Sequence, residues 1–173
     1  MVNQTGFWQN ERRLWGMTKP KIPAGPDLVD LLLGEHGCVL ALMRHQERRL
    51  AAMSLRELKE CGAALEAVLE AHAVAEDQLL FGALRGLPPP VLSTLEAMYG
   101  EHQEMRRLLD ELKQQRHAPR ARSTLGRLME LAREHFAVEE RVLFDLVRQW
   151  LAPELLRGLG REYARRRGLQ MQG

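Results

Sequence analysis

The sequence predicts an all-α protein built as an up-down-up-down four-helix bundle, and three observations lead to that prediction. Leu, Ala, Glu and Arg, which favour helices, dominate the 173 residues. Apolar side chains recur at helical spacing in four long segments, and no segment alternates in the manner of a strand. The connections between these segments are short, which places successive helices antiparallel to one another.

Three regions are expected along the chain. Residues 1–25 show no clear period and are predicted to form an irregular arm. Trp8 and Trp15 favour packing of this arm onto the bundle, because exposed indoles are unfavourable. The bundle is expected to span residues 26–150, and residues 151–173 are expected to form a short fifth helix and a tail.

The first two helices have recognisable starts. Helix 1 is predicted to begin near Pro26 and Asp27, since Pro suits a first helical turn and an acid suits its positive end, and to run to about Leu50. The segment Ser54-Leu55-Arg56-Glu57 is a capping box that opens helix 2. Helix 2 is expected to end at about Leu84, before a stretch that contains Gly and three Pro residues.

The starts of the remaining helices are also predicted from proline and cap residues. Helix 3 is predicted to begin near the three prolines, and Ser93-Thr94-Leu95-Glu96 resembles a second cap signal; the helix ends by about Arg116. Helix 4 is predicted to start between Pro119 and Thr124 and to reach about Trp150. Ala152-Pro153-Glu154 then starts the fifth helix, which reaches about Arg166.

Composition excludes several classes of protein. The net charge of +2 does not indicate global binding to a polyanion. Cys38 and Cys61 form no zinc-ligand spacing and are expected to be reduced thiols. The N-terminus has no apolar segment typical of a signal peptide, and no apolar run approaches membrane-spanning length, so we expect a cytoplasmic protein.

One motif occurs twice, as His72-Ala73-Val74-Ala75-Glu76-Asp77-Gln78-Leu79-Leu80-Phe81 and as His135-Phe136-Ala137-Val138-Glu139-Glu140-Arg141-Val142-Leu143-Phe144. On a helix, residues four apart lie on one face, so each copy directs an imidazole and a carboxylate to the same place. Apolar residues surround that face in both copies. A buried carboxylate needs a partner, and a metal ion is the obvious one.

A second duplication surrounds the first. Gly34-Glu35-His36 precedes one copy and Gly100-Glu101-His102 precedes the other, at similar distances along the chain. Both upstream histidines also lie on apolar stripes. The predicted metal ligands are therefore two histidines and one carboxylate from each half of the chain: His36, His72, Glu76, His102, His135 and Glu139.

Two histidines and one carboxylate form the ligand set typical of non-haem Fe(II), and two such sets suggest a dinuclear centre. Structural zinc prefers closed sites rich in Cys, although zinc or manganese would also suit these ligands. His45 lies nine residues after His36, about 180° round the helix, and therefore on the outer face of helix 1. His117 lies in a loop. Neither is expected to bind a metal.

This ordered set resembles the hemerythrin-like HHE cation-binding family over about residues 26–150. The resemblance implies a non-haem di-iron centre, with two iron ions joined by a bridging oxo or hydroxo group. It also implies that His36 and His72 hold mainly one iron, that His102 and His135 hold the other, and that Glu76 and Glu139 bridge them. The oxygen-carrying members have a further His where this chain has Arg106. The six-ligand set is closer to a branch linked to nitric oxide response and iron–sulfur repair, but that branch typically has an extra Cys-containing N-terminal domain, and the arm here has no Cys.

Several acidic residues lie near the predicted ligands in the sequence, and their roles can be interpreted in two ways. Glu35, Glu101 and Glu134 each precede a ligand His and are candidates to support it, but they are turned about 100° off the ligand face, which favours a solvated position. Asp77 and Glu140 are interpreted as surface charges. Tyr99 lies one turn before His102 and is predicted either to contact the metal pocket or to pack in the core. The arginines of the C-terminus are interpreted as a solvated helix face rather than a nucleic-acid patch.

Three functions remain open. The first is a di-iron centre that reacts with O2, peroxide or nitric oxide in an oxidative or nitrosative stress response, which leaves open whether the protein is an oxidoreductase. The second is a reversible O2 or iron sensor or storage module, and the third is a metal-free helical adaptor. The expected partners are a small diatomic or peroxide ligand and an electron donor; neither a membrane nor a nucleic acid is expected.

Overall fold

The computed structural model describes residues 25–169, so almost all of the predicted N-terminal arm lies outside the described residues. These residues are helical nearly throughout and contain no strand. The helices are α1 (Leu28–Glu47), α2 (Leu55–Glu76), α3 (Pro89–Gln114), α4 (Ala118–Val138) and α5 (Pro153–Arg166). The prediction of an all-α fold is confirmed. No helix in this part of the chain is long and apolar enough to cross a membrane.

The first two helices begin where the sequence predicted, and each begins with a reciprocal side-chain cap, of which only the one at Ser54 was predicted. The Asp27 carboxylate accepts a hydrogen bond from the Asp30 backbone N–H at 3.0 Å, and the Asp30 carboxylate accepts one from the Asp27 N–H. Ser54 and Glu57 form the same reciprocal arrangement at the start of α2. Each box satisfies backbone donors that the first helical turn leaves free, which fixes where the helix begins.

The cap signal predicted for the third helix is wrong. α3 begins at Pro89, and Ser93 lies about one turn inside it. Proline suits the first position of a helix because it lacks the N–H that would be unpaired there. The Val91 N–H already donates to the Pro88 carbonyl at 3.0 Å, so the helix is established before Ser93.

Two helices contain a wide turn that the sequence pattern did not predict. α2 passes into a π-helical segment, Asp77–Phe81, and ends with one turn at Gly82–Leu84. α4 passes into the π-helical segment Glu139–Leu143 and continues as Phe144–Trp150. The two π segments overlap in the repeated motif: the first begins directly after the predicted ligand Glu76, and the second begins at the predicted ligand Glu139. Such turns are rare and concentrate at functional sites.

The apolar core is divided into two clusters. One contains residues such as Leu32, Leu80 and Met98, and the other contains residues such as Val39, Leu65 and Met105. Between these clusters lies a layer of buried polar side chains, which includes the six predicted ligands. α5 packs against α1 and adds Tyr163 to the first cluster.

Candidate metal centre

The structure places all six predicted ligands in this buried layer. None of the six residues is more than 1% exposed. One ligand atom each of Glu76, His102, His135 and Glu139 lies within 4.8 Å of the others, and His36, His72 and Glu139 form a second such group. His45 and His117 are exposed, which agrees with the prediction that they lie outside the site.

The four imidazoles form two pairs. His36 Nε2 lies 3.3 Å from His72 Nε2, and His102 Nε2 lies 3.0 Å from His135 Nε2. Ligand nitrogens bind an ion at about 2.0–2.1 Å, so two neighbouring ligands of one ion lie about 3 Å apart. Each pair therefore has the spacing of two nitrogens that share one ion.

The two carboxylates lie between the pairs. Glu139 places Oε2 3.2 Å from His36 Nε2 and Oε1 2.9 Å from His135 Nε2. Glu76 Oε2 lies 3.6 Å from both His72 Nε2 and His102 Nε2. Each carboxylate thus contacts one histidine from each pair, as a group that bridges two ions would.

A second layer of carboxylates holds the outer nitrogen of each of the four buried histidines. The pairs, with their N···O distances, are His36 Nδ1–Glu140 at 3.0 Å, His72 Nδ1–Glu35 at 3.1 Å, His102 Nδ1–Asp77 at 3.1 Å and His135 Nδ1–Glu101 at 2.7 Å. We call Glu35, Asp77, Glu101 and Glu140 the outer carboxylates. Glu35 and Glu101 thus support a ligand histidine rather than occupy the solvated position that was favoured for them, although the histidine belongs to the next helix. The interpretation of Asp77 and Glu140 as surface charges alone is wrong, although Glu140 is 39% exposed. Glu134, the remaining candidate, is exposed.

The outer carboxylates connect the helices in a closed order. Glu35 on α1 holds His72 on α2, and Glu101 on α3 holds His135 on α4. Asp77, which follows α2, holds His102 on α3, and Glu140, in the π segment after α4, holds His36 on α1. A carboxylate turned off its own ligand face therefore serves the neighbouring helix. The signal in the sequence for outer carboxylates was that an acid recurs at the same position in both copies of each duplicated motif.

Aromatic side chains enclose the imidazoles. The Phe136 ring stacks on His36 with centroids 4.0 Å apart, and the Phe144 ring lies 5.6 Å away from the same imidazole. Phe81, the counterpart of Phe144 in the other motif copy, stacks on His102 at 6.0 Å. These rings remove water from around the histidines, which strengthens electrostatic interactions inside the layer.

The donor set fits a metal ion. An ionised carboxylate only accepts hydrogen bonds, so each Nδ1 next to an outer carboxylate carries the proton and each Nε2 of a neutral imidazole presents a lone pair inward. All four carboxylate oxygens of Glu76 and Glu139 are buried without a hydrogen-bond partner of standard geometry. Four lone pairs and two buried carboxylates that face one another are costly without cations between them.

Without a metal, protons compensate part of this charge. Burial raises the pKa of Glu76 well above its usual range, and the Glu139 carboxylate adds to the rise. Burial acts in the same direction on Glu139, but the imidazoles of His135 and His36 outweigh it and hold the pKa of Glu139 well below its usual range. Burial lowers the pKa of His135, but Glu101 and Glu139 outweigh that effect and raise it to about 9.

Arg106 and Tyr99 lie outside the inner set. The Arg106 guanidinium donates to the Glu70 carboxylate at 2.7 and 3.3 Å and lies 3.9 Å from Asp77. Tyr99 is 50% exposed, so neither the pocket nor the core position predicted for it is observed. It borders a surface cavity of about 340 Å³, together with Asp77 and Phe81.

Comparison with known proteins gives one match. The model of the hemerythrin HHE cation binding domain matches residues 27–157, which include all six inner ligands and all four outer carboxylates. No curated protein and no solved structure gives a significant match.

Proposed function

The chain belongs to the hemerythrin HHE cation-binding domain family, and from that premise we propose that it holds two iron ions in its buried polar layer and reacts there with O2, peroxide or nitric oxide. The observation that carries this proposal is the convergence of four imidazole nitrogens and two buried carboxylates in a site shielded from water. A response to oxidative or nitrosative stress is the setting that such chemistry suits.

The proposal includes an up-down-up-down order for α1 to α4. α1 contributes Leu32 to one apolar cluster and then Val39 to the other, whereas α2 contributes first to the cluster of Val39 and then, through Ala75, to that of Leu32. α3 follows the order of α1, and α4 together with its continuation follows the order of α2. This alternation supports antiparallel neighbours.

Within this arrangement His36 and His72 would hold one ion, and His102 and His135 the other. Glu76 and Glu139 would contact both ions, since each already lies against one histidine of each pair. The outer carboxylates keep the protons on Nδ1, which leaves every Nε2 free to bind. Two iron ions bound in this way supply one-electron redox chemistry and exchangeable positions for a small ligand.

Arg106 bears on the choice between a reactive centre and an oxygen carrier. Carriers of this family have an additional histidine at that position. A guanidinium has no lone pair to offer a metal, and here it is bound to Glu70. The inner set therefore contains six protein ligands, and more positions are left for small molecules. We propose that the reduced protein is oxidised rapidly by O2 or peroxide and binds nitric oxide.

The test exposes the reduced, iron-loaded protein to O2, removes the gas and follows the optical spectrum. We expect rapid oxidation that gas removal does not reverse. Release of one O2 per site with recovery of the reduced spectrum would contradict the proposal and would favour a reversible carrier or sensor. Arg106→His is the matched variant, and slower, reversible behaviour in this variant would attribute the difference to that position. Absence of bound metal after anaerobic loading would favour a helical adaptor.

A further inference from the structure

Helix α5 is held closely against the start of α1. A Cβ atom at Gly160 would lie 2.9 Å from the backbone of both Asp27 and Leu28, so only glycine permits this approach. One turn further along α5, Tyr163 is buried against the same helix with 1% of its surface exposed. The position of the C-terminal end of α5 relative to α1 is therefore well defined.

The C-terminal end of α5 places Arg167 next to the buried polar layer. The helix terminates in two backbone hydrogen bonds, from the Gly168 N–H to the Arg165 carbonyl at 3.2 Å and from the Leu169 N–H to the Ala164 carbonyl at 2.8 Å. Gly168 has φ of +67°, a conformation that glycine adopts readily. This termination fixes the backbone of Arg167 directly beside α1.

The Arg167 guanidinium binds Glu35, the outer carboxylate of His72. Its Nη2 lies 2.9 Å from Glu35 Oε2 and 2.7 Å from Oε1, and its side chain is only 23% exposed. The guanidinium also lies over the Tyr163 ring, 5.4 Å from the centroid. Glu35 thus shares its negative charge between the His72 imidazole and a fixed cation.

The equivalent carboxylate in the other half has no such cation. Among residues 25–169, the ion pair of Glu101 is with His135 alone, at 2.7 Å. Arg106 is near the second half, but its charge is already matched by Glu70, and it reaches Asp77 only at 3.9 Å. Arg167 also lies beyond residues 27–157, so α5 adds this contact from outside the repeated unit.

We propose that Arg167 makes the two halves of the centre electronically unequal, so that the ion held by His36 and His72 is reduced before the ion held by His102 and His135. A carboxylate that accepts a hydrogen bond from a ligand histidine makes that ligand more basic. A cation on Glu35 weakens this effect at His72 and favours the lower oxidation state of its ion. This inference rests on the proposed function, because it requires two iron ions.

The experiment is a reductive titration of the iron-loaded protein with dithionite, in which each ferric ion accepts one electron. We expect two resolved one-electron steps. Arg167→Gln, which leaves the Glu35 charge uncompensated, should shift the first step to a more negative potential and bring the two steps together, whereas Arg167→Lys should restore the separation. Arg165→Gln removes an equal charge from an exposed ion pair with Glu162 on the same helix and should leave both steps unchanged.

Glu35→Gln provides the opposite change. It keeps an acceptor for His72 but removes the negative charge, so the first step should move to a more positive potential. Coincident steps in the unmodified protein, or equal potentials in all these variants at two irons per chain, would overturn the inference. Failure to bind two irons would instead overturn the proposed function. If Arg167→Gln unfolds, the sign of the Glu35→Gln shift decides the matter.

Discussion

At the residue scale, the two ring nitrogens of each buried histidine make different contacts. The inner nitrogen points at the other imidazole of its pair, and the outer nitrogen donates to a carboxylate. Both contacts are shortest at His135, where Glu101 Oε2 lies 2.7 Å from Nδ1 and His102 Nε2 lies 3.0 Å from Nε2. A single substitution at such a residue therefore removes a ligand and leaves an outer carboxylate without its donor.

Substitution of an inner ligand is expected to reduce metal content sharply. His72→Ala or Glu139→Ala should lower bound iron from about two ions per chain to one or fewer, because each removes a buried donor that no neighbour replaces. Elemental analysis after anaerobic loading and desalting measures this. His45→Ala and His117→Ala are the controls, since both histidines are exposed. Equal loss of iron from His45→Ala would contradict the assignment.

The metal-free protein is expected to lose stability as the pH rises from 7 to 9.5. The pKa of His135 is about 9 in the folded state and about 6.5 when unfolded, so its contribution is complete below pH 6.5 and is lost through pH 9. The raised pKa of Glu76 acts in the same direction. The lowered pKa of Glu139 has the opposite sign, but its effect is confined to pH values below about 4.5.

Urea unfolding of chelator-treated protein at several pH values tests this. Glu101→Gln removes the negative charge next to Nδ1 of His135 and should flatten the dependence, whereas Glu134→Gln, at an exposed position beside the same histidine, should not. A free energy of unfolding that stays constant between pH 7 and 9.5 in the unmodified protein would contradict the expectation.

The inner residues could be predicted from the sequence because polar residues on an apolar helical stripe are unusual, and this pattern occurs in both halves. The outer carboxylates could not. Helical phase describes the direction of a side chain relative to its own helix, and Glu35 does point away from the face of His36. Its partner, His72, belongs to the next helix, and the distance between two helices does not appear in the periodicity of either one.

At the element scale, the π segments show the same limit of periodicity. A regular helix would place Asp77 and Glu140 about 140° round from the histidines that begin their motifs, which led to their interpretation as surface charges. In the structure, Asp77 and Phe81 contact the imidazole of His102, and Glu140 and Phe144 contact that of His36, so the residues in and next to the π segments face neighbouring helices. Side-chain caps, by contrast, depend on residues close in sequence, and the capping box at Ser54 was predicted correctly.

Helix α5 offers a test of close packing with a control two residues away. Gly160→Ala should lower the free energy of unfolding by about 1–3 kcal/mol, because the new methyl group meets the backbone of Asp27 and Leu28. Gly158→Ala meets nothing nearer than the Arg161 guanidinium at 3.9 Å and should raise stability by up to about 1 kcal/mol through helix propensity. Thermal or denaturant unfolding of both variants measures this, and equal effects would contradict the packing.

At the scale of the whole molecule, the buried polar layer lies between the two apolar clusters of the described residues and divides the core in two. Helix count and the order of the motifs along the chain were predictable from the sequence, since each long segment has its own apolar stripe. The division of the core could not be predicted, because it depends on which residues of neighbouring helices lie at the same height along the bundle.

Metal binding is therefore expected to stabilise the whole bundle. Anaerobic loading should give about two irons per chain, and a free ion concentration of about one hundred times Kd should add about 2.7 kcal/mol for each site to the free energy of unfolding. Calorimetry of loaded and chelator-treated protein measures this together with elemental analysis. Well under one ion per chain, or identical melting temperatures, would contradict the assignment of the polar layer as a metal site.

The outer carboxylates are also expected to influence how a metal ion reaches the buried polar layer. Their side chains are partly accessible, from 20% for Asp77 to 39% for Glu140, whereas the imidazoles behind them are closed to solvent. A divalent cation that diffuses toward the bundle is attracted by negative charge before it meets any nitrogen. Because Arg167 lies against Glu35, we expect arrival to be favoured on the sides of Glu101 and Glu140. The rate of uptake then depends on ionic strength, since the screening length falls from about 30 Å at 0.01 M salt to about 10 Å at 0.1 M.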